Sequence, residues 1–375
     1  MPNGRILYCG KYNGFAGGIE RYAYQTAIHL GNAGWSVDWY GEESGRGEDV
    51  FRKGFDDILT LSDALQPNYD LVILHKIPEI SVLQQLRRRF DEKLVFLAHD
   101  HDLYCPRSYY YTPFGRTNCH RAYSPLRCGI CARLVSPRKW KGIRKNASET
   151  LEELREHHAA VLSTFMQNNL QRNGFHNERI HRLPPVIDIP KEFRRNAKSD
   201  KLEILFLGQL IRGKGADLLL DALQNLSIPW HATIVGDGND KTMLENMAKS
   251  LGLFDRITFT GWVNAPETYF ASCDVTVFPS RWQEPFGLSG AEALAHGVPV
   301  VAFDIGGVRE WLDDGVSGFV VPEKDVHAMA GKLEMLYNSP DLRDTMGVAG
   351  MEQMRSKFSK EHFIAAMQQI IQAVK

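Results

Sequence analysis

The residues with the most chemistry to offer lie in the second half of the chain. Glu284 and Glu292 have seven residues between them, the first just ahead of a helical stretch and the second within it. Pro285 suits a first helical turn, where a missing N–H costs nothing, and Gly287 and Gly290 keep the helix start narrow. Free amides there, together with the helix dipole, favour phosphate or hydroxyl oxygens. Glu284 is placed to accept hydrogen bonds from hydroxyls, and Glu292 to grip a second hydroxylated group. Read as spacing alone, the pair fits a helix-start acid and a surface charge equally well. The apolar run around Glu292 (Ala291, Ala293, Leu294, Ala295) argues against an idle acid there. Upstream, Arg212 and Lys214 sit in a glycine-rich turn, 208–215, that opens another helix. Two cations at a helix amino terminus oppose its dipole unless an anion such as a diphosphate completes the site. A solvated basic turn is the competing reading.

Weaker signals surround these. Gly14, Gly17 and Gly18 link a first strand to a first long helix, and Gly236 and Gly306-Gly307 also follow strands; each permits close backbone approach. Asp100-His101-Asp102 has the Asp-x-Asp form found at metal sites, but three residues recur often by chance. Cys105, Cys119, Cys128 and Cys131 crowd an aromatic, basic excursion, 105–133, and the last two have Cys-x-x-Cys spacing. A structural zinc is the expectation; an iron–sulfur cluster, labile disulfides or thiols that never meet are the alternatives. The stretch 133–145, with Arg133, Arg138, Lys139, Lys141, Arg144 and Lys145 among Leu134, Val135, Trp140 and Ile143, reads as a peripheral membrane patch or as a solvated basic segment.

The elements that must position these residues alternate. Short apolar runs at 5–9, 70–74, 94–98, 159–163, 203–208, 232–236, 256–260, 274–279, 298–303 and 318–321 suit parallel strands covered on both faces. Amphipathic stretches at 17–33, 80–90, 216–226 and 325–337 lie between them. The class is therefore α/β, with two Rossmann-like doubly wound domains facing a cleft. The proline-rich run 183–190 and the charged run 191–201 mark the division. That gives a first domain at 1–187, a second at 188–358, and a last helix, 359–375, whose apolar stripe needs a surface and crosses back to the first domain.

Taken together, these motifs resemble the retaining glycosyltransferases of family 4, with the two-domain architecture called GT-B. The resemblance rests on Glu284-Pro285-Phe286-Gly287-Leu288 through Glu292, Gly17-Gly18, the 208–215 turn, Gly261, Pro279-Ser280, Gly297 to Val301, and Gly306-Gly307 with Glu310. It implies that Arg212 and Lys214 hold a donor diphosphate, Glu284 contacts the transferred sugar, and Glu292 takes the ribose hydroxyls. Gly17, Gly18, Gly236, Gly287 and Leu288 would line the donor, and His99 would stand near the reacting centre. One departure is Gln209, where the family carries arginine. The implied activity is hexosyl transfer with retention, without a catalytic metal or other cofactor, from a UDP- or GDP-sugar to a glycan or lipid-linked acceptor of polysaccharide or lipopolysaccharide type. A nucleotide-sugar epimerase and a non-catalytic nucleotide-sugar binding partner are the alternatives.

Bulk properties exclude some classes. The 375 residues carry 44 Lys+Arg against 45 Asp+Glu, a balance that argues against a nucleic-acid partner. No uninterrupted apolar run is long enough for a membrane span, and the start of the chain reads as a strand, not a signal peptide, so a cytoplasmic location, possibly at the inner face of the membrane, is expected.

Overall fold

The structure is a computed structural model that describes residues 3–106, 110–112, 117–135, 137–138, 140–190 and 200–375; the side chains of Val135, Trp140 and residues 143–146 are also outside the description. It divides into two compact units, one of residues 1–186 with 360–375, the other of residues 187–359.

In the first unit the elements run β1 (Arg5–Asn13), α1 (Gly18–Asn32), β2 (Ser36–Ser44), α2 (Glu48–Arg52), β3 (Ile58–Leu59), α3 (Leu61–Ala64), β4 (Leu71–Leu74), α4 (Ile80–Phe90) and β5 (Leu94–Ala98). They continue through α5 (Pro125–Val135), α6 (Trp140–Leu154), β6 (His158–Val161), α7 (Thr164–Arg172) and β7 (Ile180–Arg182). Among the described residues the strands form one parallel sheet in the order β3-β2-β1-β4-β5-β6-β7. Leu71–Leu74 and Leu94–Ala98 are buried along their whole length because helices cover both faces, which is why they read as unbroken apolar runs. The order reverses direction between β1 and β4, so the loops after those strands diverge to opposite faces and leave a crevice.

The second unit repeats the plan with β8 (Leu202–Leu207), α8 (Ala216–Gln224), β9 (Trp230–Val235), α9 (Lys241–Ser250), β10 (Ile257–Gly261) and β11 (Val275–Phe278). There follow α10 (Leu288–Ala295), β12 (Val300–Phe303), β13 (Gly318–Val321), α11 (Val326–Asn338) and α12 (Pro340–Lys357). Its parallel sheet is ordered β10-β9-β8-β11-β12-β13, with the reversal between β8 and β11. The last helix, α13 (Lys360–Ala373), buries Phe363, Met367, Ile370 and Ile371 and packs on α1 of the first unit.

The α/β class with two Rossmann-like units is thus the observed fold. No helix among the described residues is long and apolar enough to cross a membrane. Most of the charged run 191–201, namely 191–199, lies outside the described residues, as do Ser136 and Lys139 of the basic stretch 133–145.

Candidate functional site

The reversal in the second sheet brings two loops together, one after β8 and one after β11. The first leaves β8 at Gly208, makes a tight helical turn over Arg212–Lys214, and enters α8 through Gly215 at φ +72°. A Cβ on Gly215 would come within 1.9 Å of the Pro279 carbonyl oxygen, so this turn lies directly against the end of β11. The second loop latches onto it. The Arg281 amide donates to the Gly213 carbonyl at 2.8 Å, and the Ser280 hydroxyl lies 3.0 Å from the same oxygen. The Trp282 ring fills the space where Gly213 lacks a side chain. Arg281 adds a bidentate pair with Asp217 of α8, its Nη2 lying 2.6 Å from Oδ2, while its Nη1 donates to the Arg212 carbonyl at 3.0 Å.

This latch delivers Lys214 to Glu284. The Lys214 ammonium donates to Glu284 Oε1 at 2.7 Å, and the Ser280 hydroxyl stands 2.7 Å from the same oxygen. Glu284 is only 7% exposed, so the carboxylate has traded water for these two donors. Its backbone is held from behind, where the Gly307 amide donates to the Glu284 carbonyl at 2.8 Å. Gly306 sits at φ +51°, and a Cβ there would be 2.2 Å from that carbonyl oxygen. Beyond Glu284 the chain turns at Gly287, φ +97°, into α10, which has no side-chain cap; the Trp311 indole donates to the Phe286 carbonyl at 2.6 Å and fixes the turn. Glu292 is half-buried on α10, Leu288 and Gly287 are half-buried at its start, and Arg212 and Gln209 are exposed. Gly236 is held to glycine both by its backbone, at φ +139°, and by packing, since a Cβ would meet the Gly208 carbonyl at 1.9 Å.

The corresponding edge of the first unit carries a histidine pair. His75, directly after β4, is 1% exposed, and its Nδ1 lies 3.0 Å from Nε2 of His99, directly after β5. The two rings stack with centroids 5.2 Å apart, and Tyr22 of α1 meets His99 edge-on at 4.9 Å. Burial, reinforced by the charge on Lys76, pushes His99 down to about 3, so the imidazole is neutral at physiological pH. His75 is lowered by burial and then by His99. Lys76 donates to Asp100 at 2.6 Å and also to Asp102; burial works against its charge, but the two carboxylates prevail and raise it. The Asp-x-Asp pair is therefore a lysine clamp in this chain. Gly17 and Gly18 open α1 where the Gly17 amide donates to the buried Glu20 carboxylate at 3.0 Å. A Cβ on Gly18 would meet no described atom within 4 Å, so nothing in the unit requires glycine there.

A hollow of about 610 Å³ lies elsewhere on this edge, lined by Asn13, Tyr40, Glu42, Glu43 and Glu79 but not by His99. It is open to solvent and holds no residue of the Lys214–Glu284 junction.

The zinc expectation for Cys105, Cys119, Cys128 and Cys131 finds no support: among the described residues no group of three or more His, Cys, Asp and Glu is placed to hold a metal ion. Part of the excursion is helical instead: Cys128 and Cys131 ride on α5, while the Cys119 and Cys105 amides are tied to the Tyr110 and His101 carbonyls at 2.8 Å each. Burial, and after it the neighbouring Cys119 and Cys131, raise the Cys128 thiol, while the Ser124 amide works the other way.

Sequence reasoning missed Ser280's contacts, Arg281, Asp217, His75, Lys76 and Tyr22. His75 and Lys76 carry the signal used for His99, since they follow an apolar run at a strand's carboxyl end.

Comparison with known proteins bears on the second unit and on the fold. Residues 188–353, nearly the whole second unit, match the family model for glycosyl transferases group 1, so that unit carries such a domain. A D-inositol 3-phosphate glycosyltransferase of Paenarthrobacter aurescens is 35% identical over 188 residues, 45% of this chain and 46% of that protein. The lipopolysaccharide core biosynthesis glycosyltransferase LpsE of Rhizobium meliloti is 28% identical over 173 residues, 46% of this chain and 50% of that protein. The aligned stretches thus span about half the length of these relatives. Among solved structures, Anabaena HepE in complex with UDP superimposes with a TM-score of 0.72 at 19% identity over 99% of both chains, a likeness of fold.

Proposed function

We propose that the chain is a retaining glycosyltransferase that moves a hexosyl group from a UDP-linked donor to a hydroxyl of a glycan or lipid-linked acceptor. The observation that carries this reading is the junction of Lys214 and Glu284 at the sheet reversal of a glycosyl transferases group 1 domain. An ammonium has three donors, so Lys214 can keep Glu284 and still reach a phosphate oxygen. Arg212, exposed on the same turn, and the uncapped amino terminus of α10 add positive potential for the departing diphosphate. Glu284 faces the sugar hydroxyls and Glu292 the ribose. Gly18, which no packing in its own unit demands, leaves room for the donor to lie against the backbone.

In transfer, the anomeric carbon–oxygen bond to the diphosphate breaks as the acceptor oxygen bonds to the same face of that carbon. The acceptor proton passes to the leaving diphosphate oxygen. The side chains stabilise charge and do not form a covalent intermediate. His99, held neutral by burial, serves as a hydrogen-bonding group and not as a cation. Lys76 occupies Asp100 and Asp102, which supports catalysis without a metal at that pair. The UDP assignment draws on HepE, solved with UDP, with UDP and glucose, and with UDP-glucose. The acceptor class draws on LpsE, named for lipopolysaccharide core biosynthesis.

A thermal-shift panel of UDP- and GDP-linked sugars tests the reading. A ligand at 100 times its Kd adds about 2.7 kcal/mol to the stability of the unit that binds it. For a unit of this size that is a rise of roughly 5–10 °C, expected for the UDP compounds. Absence of any shift with nucleoside diphosphates and their sugar conjugates would refute it, and inversion at the anomeric carbon in the product would refute retention.

A further inference from the structure

The first unit carries an exposed apolar stripe that its own fold does not use. On α5, Leu126 is 74% exposed, Ile130 56% and Leu134 48%. Their spacing of four residues puts all three on one helix face, and Arg127 and Arg133 are exposed beside them. The opposite face is spoken for: Gly129 and Ala132 are buried, and the helix packs on α6. Large aliphatic side chains are seldom left this exposed in a row without a partner surface.

The charge around the stripe identifies the kind of partner. Between Asp102 and Glu149 the chain places ten of its 44 Lys and Arg and none of its 45 Asp and Glu. Those with described side chains, Arg121, Arg127, Arg133, Arg138 and Lys141, are all exposed. A protein whose total charge is close to zero thus carries a single sign along the stretch of sequence that holds its exposed leucines and isoleucine. A protein partner reading a small patch needs no such excess over 46 residues, whereas an extended anionic sheet rewards every cation near it. We propose that α5 and the exposed cations Arg121, Arg127, Arg133, Arg138 and Lys141 dock the chain on an anionic lipid surface, with Leu126, Ile130 and Leu134 entering the headgroup–acyl boundary and the cations pairing with lipid phosphates. This moves the contact from the stretch 133–145 to the helix before it, and it stands whether or not the chain transfers sugars.

Co-sedimentation with vesicles tests the proposal, using phosphatidylcholine alone and phosphatidylcholine mixed with phosphatidylglycerol. The full chain should sediment with the mixed vesicles, far less with phosphatidylcholine, and less as salt rises. Arg127→Gln with Arg138→Gln should weaken binding about twenty-five-fold, near five-fold per charge. Leu126→Ser, Ile130→Ser and Leu134→Ser together should weaken it at least ten-fold. All five positions are exposed, so the variants should keep the wild-type far-ultraviolet dichroism and the wild-type thermal response to UDP. The proposal is overturned by equal binding to both vesicle types, by no binding to either, or by binding that the variants leave intact. It is also overturned if the wild-type chain self-associates and the triple variant is monomeric, because a second copy then covers the stripe.

Discussion

Replacing Lys214 by methionine removes one of the two donors on Glu284 Oε1 and leaves the carboxylate with Ser280 alone. Breaking a fully buried ion pair from one side costs roughly 3–5 kcal/mol, because the remaining charge stays desolvated. Here the Lys214 side chain is 26% exposed and that of Glu284 9%, so water reaches part of the pair and the serine stays; a cost of about 2 kcal/mol follows. Glu284→Gln is milder, about 1 kcal/mol, since the freed ammonium can turn towards solvent and the amide still offers an acceptor. The double variant removes both charges and should recover about 1 kcal/mol or more of the summed loss. Urea unfolding of the four proteins measures this coupling. Ligand binding should divide differently. If Lys214 also grips a phosphate, Lys214→Met weakens UDP by roughly 10–100-fold, the value of a charge-assisted hydrogen bond. Glu284→Gln should leave UDP affinity near wild type and depress turnover with the sugar donor. Strict additivity in unfolding would show that the pair does not couple. Loss of UDP affinity in Glu284→Gln equal to that in Lys214→Met would refute the division of roles.

Two glycines and one pH series supply further predictions. Gly306→Ala places a Cβ 2.2 Å from the Glu284 carbonyl at positive φ and should cost roughly 2 kcal/mol with a fall in turnover. Gly18→Ala meets open space in its own unit, so its melting temperature should hold or rise while donor affinity drops; matched losses in both variants would remove Gly18 from the donor site. His99, His75 and His181 are all lowered by burial, His99 to about 3 and His181 to about 4 from an unfolded value of 6.5. Below 6.5 the unfolded chain binds protons that the folded first unit refuses, so its stability is complete above that pH and falls as acid is added. Melting followed through the first unit should be lower at about pH 5 than at about pH 8; a flat or opposite trend would contradict neutral burial.

Much of this was legible because buried parallel strands announce themselves. Leu71–Leu74, Leu94–Ala98 and Val300–Phe303 are unbroken apolar runs, and their carboxyl ends lead to His75, His99 and the Gly306-Gly307 turn behind Glu284. Ser36–Ser44 was harder to see, since its second half is polar and exposed, and Pro340–Lys357 buries Gly347, Gly350, Arg343 and Gln353 in place of a regular apolar stripe. The cysteine spacing decided little, because thiols three residues apart fit a helix turn as readily as a metal. Arg281 and the contacts of Ser280 were invisible for a different reason: each acts through a partner about seventy residues away, which periodicity cannot supply.

That long-range latch explains why the proposed chemistry needs so few side chains. Glu284 and Lys214 come from different loops, and each alone would be a mobile surface charge able to satisfy itself in water. Arg281 locks one loop to α8, Ser280 and Trp282 close on Gly213, and Gly306-Gly307 back the other loop. The ordering cost is met in folding, before any ligand arrives, and the cation is already paired with the acid. An incoming diphosphate then meets a positive group with two donors unspent, near an acid whose position is set by backbone contacts and not by the ligand. A site loose by one ångström would lose most of that advantage. The latch residues should therefore govern turnover nearly as strongly as the pair they hold: Arg281→Gln should lower the rate without weakening UDP to the same degree.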